Sequence, residues 1–139
     1  MYTTEKEERA GKASPGQFEF EGVPLISFQL VKALRETGQK FRMVCVLTPD
    51  WFHGKLIEGS EWIPQDKLEQ EAPKAFPNKD ELIIVYCASY DCPQSTKGTK
   101  TLMQMGYKNV FDYRGGIKEW EEHGMPIKTI PWEGKARVR

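Results

Sequence analysis

No stretch of the 139-residue chain stays apolar over the length a bilayer crossing needs, and its start, Met1-Tyr-Thr-Thr-Glu-Lys-Glu-Glu-Arg-Ala10, is charged where a secretory signal is apolar. A cytoplasmic protein without a membrane partner is the expectation. Neither sign of charge is in excess: Lys plus Arg and Asp plus Glu number 20 each, so no long-range field draws the chain to nucleic acid. Its partners should be small or local. Cysteine is scarce, and Cys45, Cys87 and Cys92 are an odd number, too few for a disulfide scaffold. At least one thiol is therefore free or used chemically. Histidine is scarcer still: His53 and His123 stand far from each other, and without a Cys-x-x-Cys spacing there is no set of four soft zinc ligands. Neither a metal nor a cofactor is expected.

What is present fits one compact domain, because a chain of this length can bury most of the surface its unfolded form exposes. Residues 1–17 are rich in Glu, Lys, Gly and Ser and read as a flexible arm; 18–130 read as the domain and 131–139 as a basic tail, with Trp132 able to pack back on the body. Ser27 caps a predicted amphipathic helix over 28–37 that ends at Gly38. Arg42–Leu47 reads as a buried strand, 48–52 as a turn or a single helical turn, and Trp62-Ile63 as a short strand. A short helix is predicted over 68–72, with Pro73 and Pro77 preventing a longer one. Leu82-Ile-Ile-Val-Tyr86 is a continuous, β-branched run of the kind covered on both faces. Ser95–Met105 reads as a helix in which Gly98 allows close approach to the sheet, Asn109–Tyr113 as a strand, and Ile117 and Trp120 sit on a last helical turn. Strands alternating with helices predict an α/β, doubly wound, mainly parallel sheet with helices on both faces.

In such sheets ligands bind beyond the carboxyl ends of the strands, and Cys87 stands at the end of the clearest one. A thiol acts as a nucleophile only when ionised, and a free cysteine with a pKa of about 8.5 is mostly protonated at neutral pH. The helix opening near Ser95 would turn its unpaired N–H groups toward the loop, and a curled backbone over Ala88, Ser89, Tyr90, Asp91, Pro93, Gln94 and Ser95 would form an anion-holding nest. Cys87 is the candidate nucleophile. Cys92 is either a resolving thiol or a loop packing residue, and Cys45 a core thiol. Ser89, Ser95 and Thr96 are candidate hydrogen-bond donors to an anion held in the loop, Ser95 alternatively a helix cap. Tyr90 and Asp91 are either partner-selecting or ordinary turn residues. His53 and His123 are read as surface residues away from the loop, and Trp51, Phe52 and Trp62 as aromatics packed over the sheet edge.

Tyr86-Cys87 with its loop and helix, then Gly106-Tyr-Lys-Asn-Val110, Gly115-Gly-Ile-Lys-Glu-Trp120 and Gly124-Met-Pro-Ile127, resemble the carboxyl half of a rhodanese domain in order and spacing. The resemblance spans roughly residues 25–128. It implies a rhodanese-like fold and a sulfurtransferase that carries sulfane sulfur as a Cys87 persulfide, with a small sulfur donor and a thiol or protein acceptor. It also implies an alternative, a non-catalytic binding or redox-sensing module using Cys87 and Cys92, since some members carry a Cys-x4-Cys loop of this kind. Three departures stand out. The family's loop usually places Arg five residues after the cysteine, whereas six residues separate Cys87 from Gln94 here. Cys45-Val-Leu47 stands where the family often has Asp-x-Arg, and Leu56-Ile-Glu-Gly-Ser60 where it has His-Ile-Pro-Gly-Ala. Without the guanidinium, thiosulfate as preferred donor and phosphatase chemistry are both disfavoured.

Overall fold

The computed structural model describes residues 18–132. The arm predicted over 1–17 and residues 133–139 of the basic tail lie outside the described residues. In chain order the elements are β1 (Glu19–Phe20), β2 (Val23–Pro24), α1 (Phe28–Thr37), β3 (Arg42–Cys45), β4 (Lys55–Ile57), β5 (Glu61–Trp62), a 3-10 turn (Gln65–Lys67), α2 (Leu68–Ala75), β6 (Leu82–Tyr86), α3 (Gln94–Gln104), β7 (Asn109–Tyr113), α4 (Gly116–Glu122) and β8 (Ile127–Thr129).

The central sheet has the order β5-β3-β6-β7, and every pairing in it is parallel. β6 is flanked by β3 and β7, which is why its sequence is apolar without alternation: Ile83, Ile84, Val85 and Tyr86 are all fully buried. Successive residues of β7 show that the sheet is covered on both faces. Asp112 points to α3, where Thr96 bonds its carboxylate, while Tyr113 points to α4, where its ring meets Trp120 edge-on at 6.2 Å. The predicted doubly wound architecture is the one observed. Two small antiparallel pairs, β1 with β2 and β4 with β8, sit outside this sheet.

Local rules account for both ends of α1. Ser27 Oγ accepts the Leu30 N–H at 3.2 Å, and Gly38 closes α1 in the left-handed conformation, as its sequence predicts. Gly98 serves close packing: a Cβ there would lie 3.3 Å from Val46 Cγ1 and 3.4 Å from Leu68 Cδ2, so the missing side chain is what lets α3 lie against the sheet and α2. Cys45 is a core thiol, fully buried, with burial pushing its pKa up to about 12.

α2 departs from expectation by continuing through Pro73 to Ala75. Pro73 is exposed and in the last turn of the helix, so what it forfeits there is the bond to the Glu69 carbonyl. The last turn is then held from outside, where the Tyr107 hydroxyl donates to the carbonyls of Ala72 (3.1 Å) and Phe76 (2.6 Å). The aromatics gather at the β5 edge as predicted: Phe52 stacks on Trp62 at 3.9 Å, and Trp132 meets Trp62 edge-on at 4.8 Å. Trp51 is the exception, left 63% exposed. Among the described residues no helix is long and apolar enough to cross a membrane.

Candidate active site

β6 ends at Tyr86, so the next residue, Cys87, lies at the carboxyl edge of the sheet, 1% exposed. The chain then makes a turn closed by the Cys92 N–H donating to the Ser89 carbonyl at 3.1 Å, and α3 begins at Gln94. That turn brings Cys92 back to Cys87. Their Cα atoms are 6.4 Å apart, within the span a disulfide bridges, and the two sulfurs are joined as one. The first intrahelical bond of α3 runs from Lys97 to the Pro93 carbonyl, so the N–H groups that open the helix have no acceptor within it. The positive end of the helix dipole therefore lies at the cysteine loop.

The helix cap differs from the sequence reading. Pro93 is the cap residue and supplies no side-chain bond, while Ser95 lies inside the first turn, fully buried. Ser95 and Thr96 are directed to Asp112 rather than to the sulfur: the Thr96 hydroxyl donates to Asp112 Oδ2 at 3.0 Å, and the Ser95 hydroxyl beside the carboxylate helps hold its pKa down. Gln94, at the position of the family arginine, is occupied elsewhere. Its Oε1 accepts the Thr48 N–H at 2.8 Å and its Nε2 donates to Thr48 Oγ1 at 3.0 Å, pinning the start of α3 to the segment after β3.

Two features that hold the loop were not singled out in the sequence. Arg114 is 5% exposed; its guanidinium donates to Thr96 Oγ1 at 2.5 Å and to the Tyr90 carbonyl, and reaches Asp112 Oδ2 at 4.0 Å. It thus ties the loop tip, α3 and β7 together. Asp112 is fully buried, and burial raises its pKa to about 6 against the opposing pull of Ser95, Arg114 and Thr96. The available signal was position, since Asp112 and Arg114 stand at the end of β7, on the same sheet edge as Cys87.

The second feature is the start of α4. The Ile117 N–H donates to the Cys87 carbonyl at 3.1 Å and the Lys118 N–H to the Ala88 carbonyl at 2.9 Å. Gly116, at φ +62°, makes this approach possible, because a Cβ there would lie 2.4 Å from the Cys87 carbonyl oxygen. Gly116→Ala is expected to destabilise the protein by roughly 2–4 kcal/mol, combining left-handed strain with overpacking. Urea unfolding checks it, and an unchanged midpoint would contradict the contact.

The loop separates two clefts. On one side Ala88, Ser89, Asp91, Cys92, Pro93 and Gln94 line a cavity of about 430 Å³ with Leu47, Trp51 and His53. On the other, Ser89, Tyr90 and Asp91 border a smaller one of about 250 Å³ with Gly115, Lys118, Glu119, Glu122 and His123. Burial and the Glu119 charge raise the Tyr90 pKa. The expectation that both histidines lie away from the loop is overturned. The segment between β3 and β4 folds back over the strand ends, which brings His53 to the larger cleft. His123 reaches the smaller one from the end of α4, stacked on Phe28 at 4.0 Å with Nδ1 2.9 Å from the Glu119 carbonyl.

Comparison with known proteins agrees with this geometry. Residues 27–123 match the family described as "Rhodanese-like domain". A putative mitochondrial thiosulfate sulfurtransferase of Schizosaccharomyces pombe is 32% identical over 114 residues, covering 72% of this chain and 79% of that protein. Among solved structures, an Escherichia coli rhodanese with anions superposes with a TM-score of 0.55 at 25% identity, over 66% of this chain and 100% of its own. A human single-domain sulfurtransferase gives a TM-score of 0.63 at 23% identity, over 73% of this chain and 97% of its own, a likeness of fold.

Proposed function

The chain belongs to the rhodanese-like domain family, and from that premise we propose that it is a sulfurtransferase whose Cys87 carries the sulfur as a persulfide. The observation that carries the proposal is the position of Cys87, at the end of the central strand and facing the N-terminal end of α3. In the reduced protein the Cys87 thiolate attacks the terminal sulfur of a donor R–S–S⁻, the donor S–S bond breaks, and R–S⁻ leaves, giving Cys87–S–S⁻. The N–H groups opening α3 stabilise that anion as they would an oxyanion. An acceptor thiol then attacks the outer sulfur, carrying it and the proton away as R′–S–SH and restoring the Cys87 thiolate.

The donor and the acceptor are a small sulfur compound and a thiol or protein cysteine. Thiosulfate is the substrate in the name of the fission-yeast relative, but this loop has lost its arginine and Gln94 is committed to Thr48. A persulfide donor of lower charge suits it better. A cytoplasmic setting belongs to the same proposal, beside the mitochondrial location in that relative's name.

The Cys87–Cys92 disulfide favours a second reading, a thiol redox module on the same fold. Intact mass of the reduced protein after exposure to thiosulfate, polysulfide and mercaptopyruvate, followed by peptide mapping, tests the first reading. Sulfur added at Cys87 is the expected result. No added sulfur, or addition only at another cysteine, would overturn the transferase and leave the redox module.

A further inference from the structure

Cys87 has two uses that exclude each other. It is the sulfur carrier of the proposed reaction, and in the structure its sulfur is bonded to Cys92. A sulfur held in a disulfide has no bond left for a second sulfur. As a structural cross-link the disulfide is a short one: stabilisation by loop closure is smallest for short loops, and the two cysteines are five positions apart. Chemistry accounts better for a second cysteine at this place.

What keeps Cys92 within reach is independent of the disulfide. The Ile117 N–H holds the Cys87 carbonyl and the Lys118 N–H the Ala88 carbonyl, which fixes the strand end. The Arg114 guanidinium holds the Tyr90 carbonyl at the loop tip, and the Cys92 N–H donates to the Ser89 carbonyl at 3.1 Å. Past the turn, Gln94 is bonded twice to Thr48. None of these bonds involves a sulfur, so the reduced turn still holds the two cysteines at a span a disulfide bridges, 6.4 Å from Cα to Cα. A thiol tethered in this way meets its target at an effective concentration far above that of a thiol in solution. Its contact is with the inner sulfur of a persulfide, because Cys92 Sγ bonds Cys87 Sγ directly.

We propose that Cys92 gives the sulfur a second exit: it attacks Cys87 Sγ of the persulfide and releases the outer sulfur as hydrogen sulfide when no external acceptor takes it. The step balances as Cys87–S–S⁻ plus Cys92–SH giving the Cys87–Cys92 disulfide plus HS⁻. A bond forms between the two Sγ atoms, the persulfide S–S bond breaks with its electron pair on the outer sulfur, and the Cys92 proton passes to that sulfur. Two cysteine sulfurs are oxidised by one electron each, and the sulfane sulfur is reduced by two. Hydrosulfide is the conjugate base of a stronger acid than a cysteine thiol, so it is the better leaving group, and its charge develops at the positive end of α3. The inference rests on Cys87 being the persulfide carrier. It makes the disulfide a product of the reaction, returned to two thiols by two electrons from an external thiol.

The test uses reduced protein freed of reductant, with sodium tetrasulfide as donor and no acceptor thiol present. Timed samples are alkylated with iodoacetamide for intact mass and peptide mapping, and sulfide is trapped with monobromobimane. In the wild type the expected course is an early Cys87 persulfide that gives way to the Cys87–Cys92 disulfide, releasing about one sulfide per chain more than Cys92→Ser does. In Cys92→Ser the Cys87 persulfide should last at least about tenfold longer. Cys92→Ala should behave like Cys92→Ser, and the melting temperature of each reduced variant separates lost chemistry from lost fold. A wild-type persulfide as long-lived as that of the variants, a persulfide carried by Cys92, or a disulfide formed without the additional sulfide would each overturn the inference while leaving Cys87 as the carrier. Sulfur absent from Cys87 in the wild type and in both variants alike would overturn the carrier reading, and the inference with it.

Discussion

Cys87→Ser is expected to reduce sulfur loading to background with every donor, while the reduced variant remains folded. A serine hydroxyl is a far weaker acid than a thiol and cannot be brought to its anion by one helix terminus, so no nucleophile remains at the strand end. Sterically the change is small: the residue is 1% exposed, and the Cys92 carbonyl, 3.5 Å from Cys87 Sγ, is there to accept the hydroxyl proton. The oxidised forms should differ more, because the wild type then carries a cross-link that restrains its unfolded chain. With five residues of sequence separation that restraint is worth about 2 kcal/mol. Cys92→Ser is the discriminating partner, losing the same disulfide yet retaining the loading. Intact-mass loading assays and urea unfolding with and without reductant read all of this. Loading that survives Cys87→Ser, or disappears equally in Cys92→Ser, would contradict the assignment of Cys87 as the sulfur carrier.

The elements legible in the sequence were those governed by local rules. β6 announces itself because a strand paired and covered on all sides must be apolar throughout, and α1 because Ser27 and Gly38 mark its ends. Cys87 was legible for the same reason, being the first residue past that strand. What escaped depended on partners distant in sequence. β4 and β8 are three-residue strands that exist by pairing with each other across some seventy positions, and neither segment carries that information alone. Pro73 read as a stop because the hydroxyl of Tyr107, which supports the last turn of α2, lies over thirty residues away. His53 read as remote because nothing local says that the segment after β3 folds over the strand ends. Arg114 is the largest such omission. Inside the loop Gln94 stands where the family pattern has arginine, whereas the guanidinium touching the loop comes from the end of β7.

Arg114→Leu is accordingly expected to cost roughly 3–5 kcal/mol at neutral pH, because it leaves the Asp112 carboxylate buried without its cation and the Tyr90 carbonyl without its donor. The pH dependence of that loss distinguishes this cause from lost packing. In the wild type Asp112 has a folded pKa of about 6, raised by burial from 3.8. The folded state therefore binds the proton more readily than the unfolded one, and burial of the ionised group opposes folding above about pH 6, an opposition relieved as pH falls toward 4. Removing Arg114 removes one of the influences that hold this pKa down, so in the variant the relief should begin at higher pH and be larger. The stability deficit of Arg114→Leu should then shrink in urea unfolding as pH falls from 7.5 toward about 6 and level off below, where both proteins take up the Asp112 proton alike. Adding Asp112→Asn should recover part of the neutral-pH loss, since a neutral amide needs no counter-charge. A deficit independent of pH, or a double variant less stable than Arg114→Leu alone, would mean that the arginine acts by filling space. Loading at Cys87 supplies the functional arm: with the Tyr90 carbonyl released, the turn that presents Cys87 and Cys92 loses its tether to β7, and persulfide formation should slow even at a pH where the variant is fully folded.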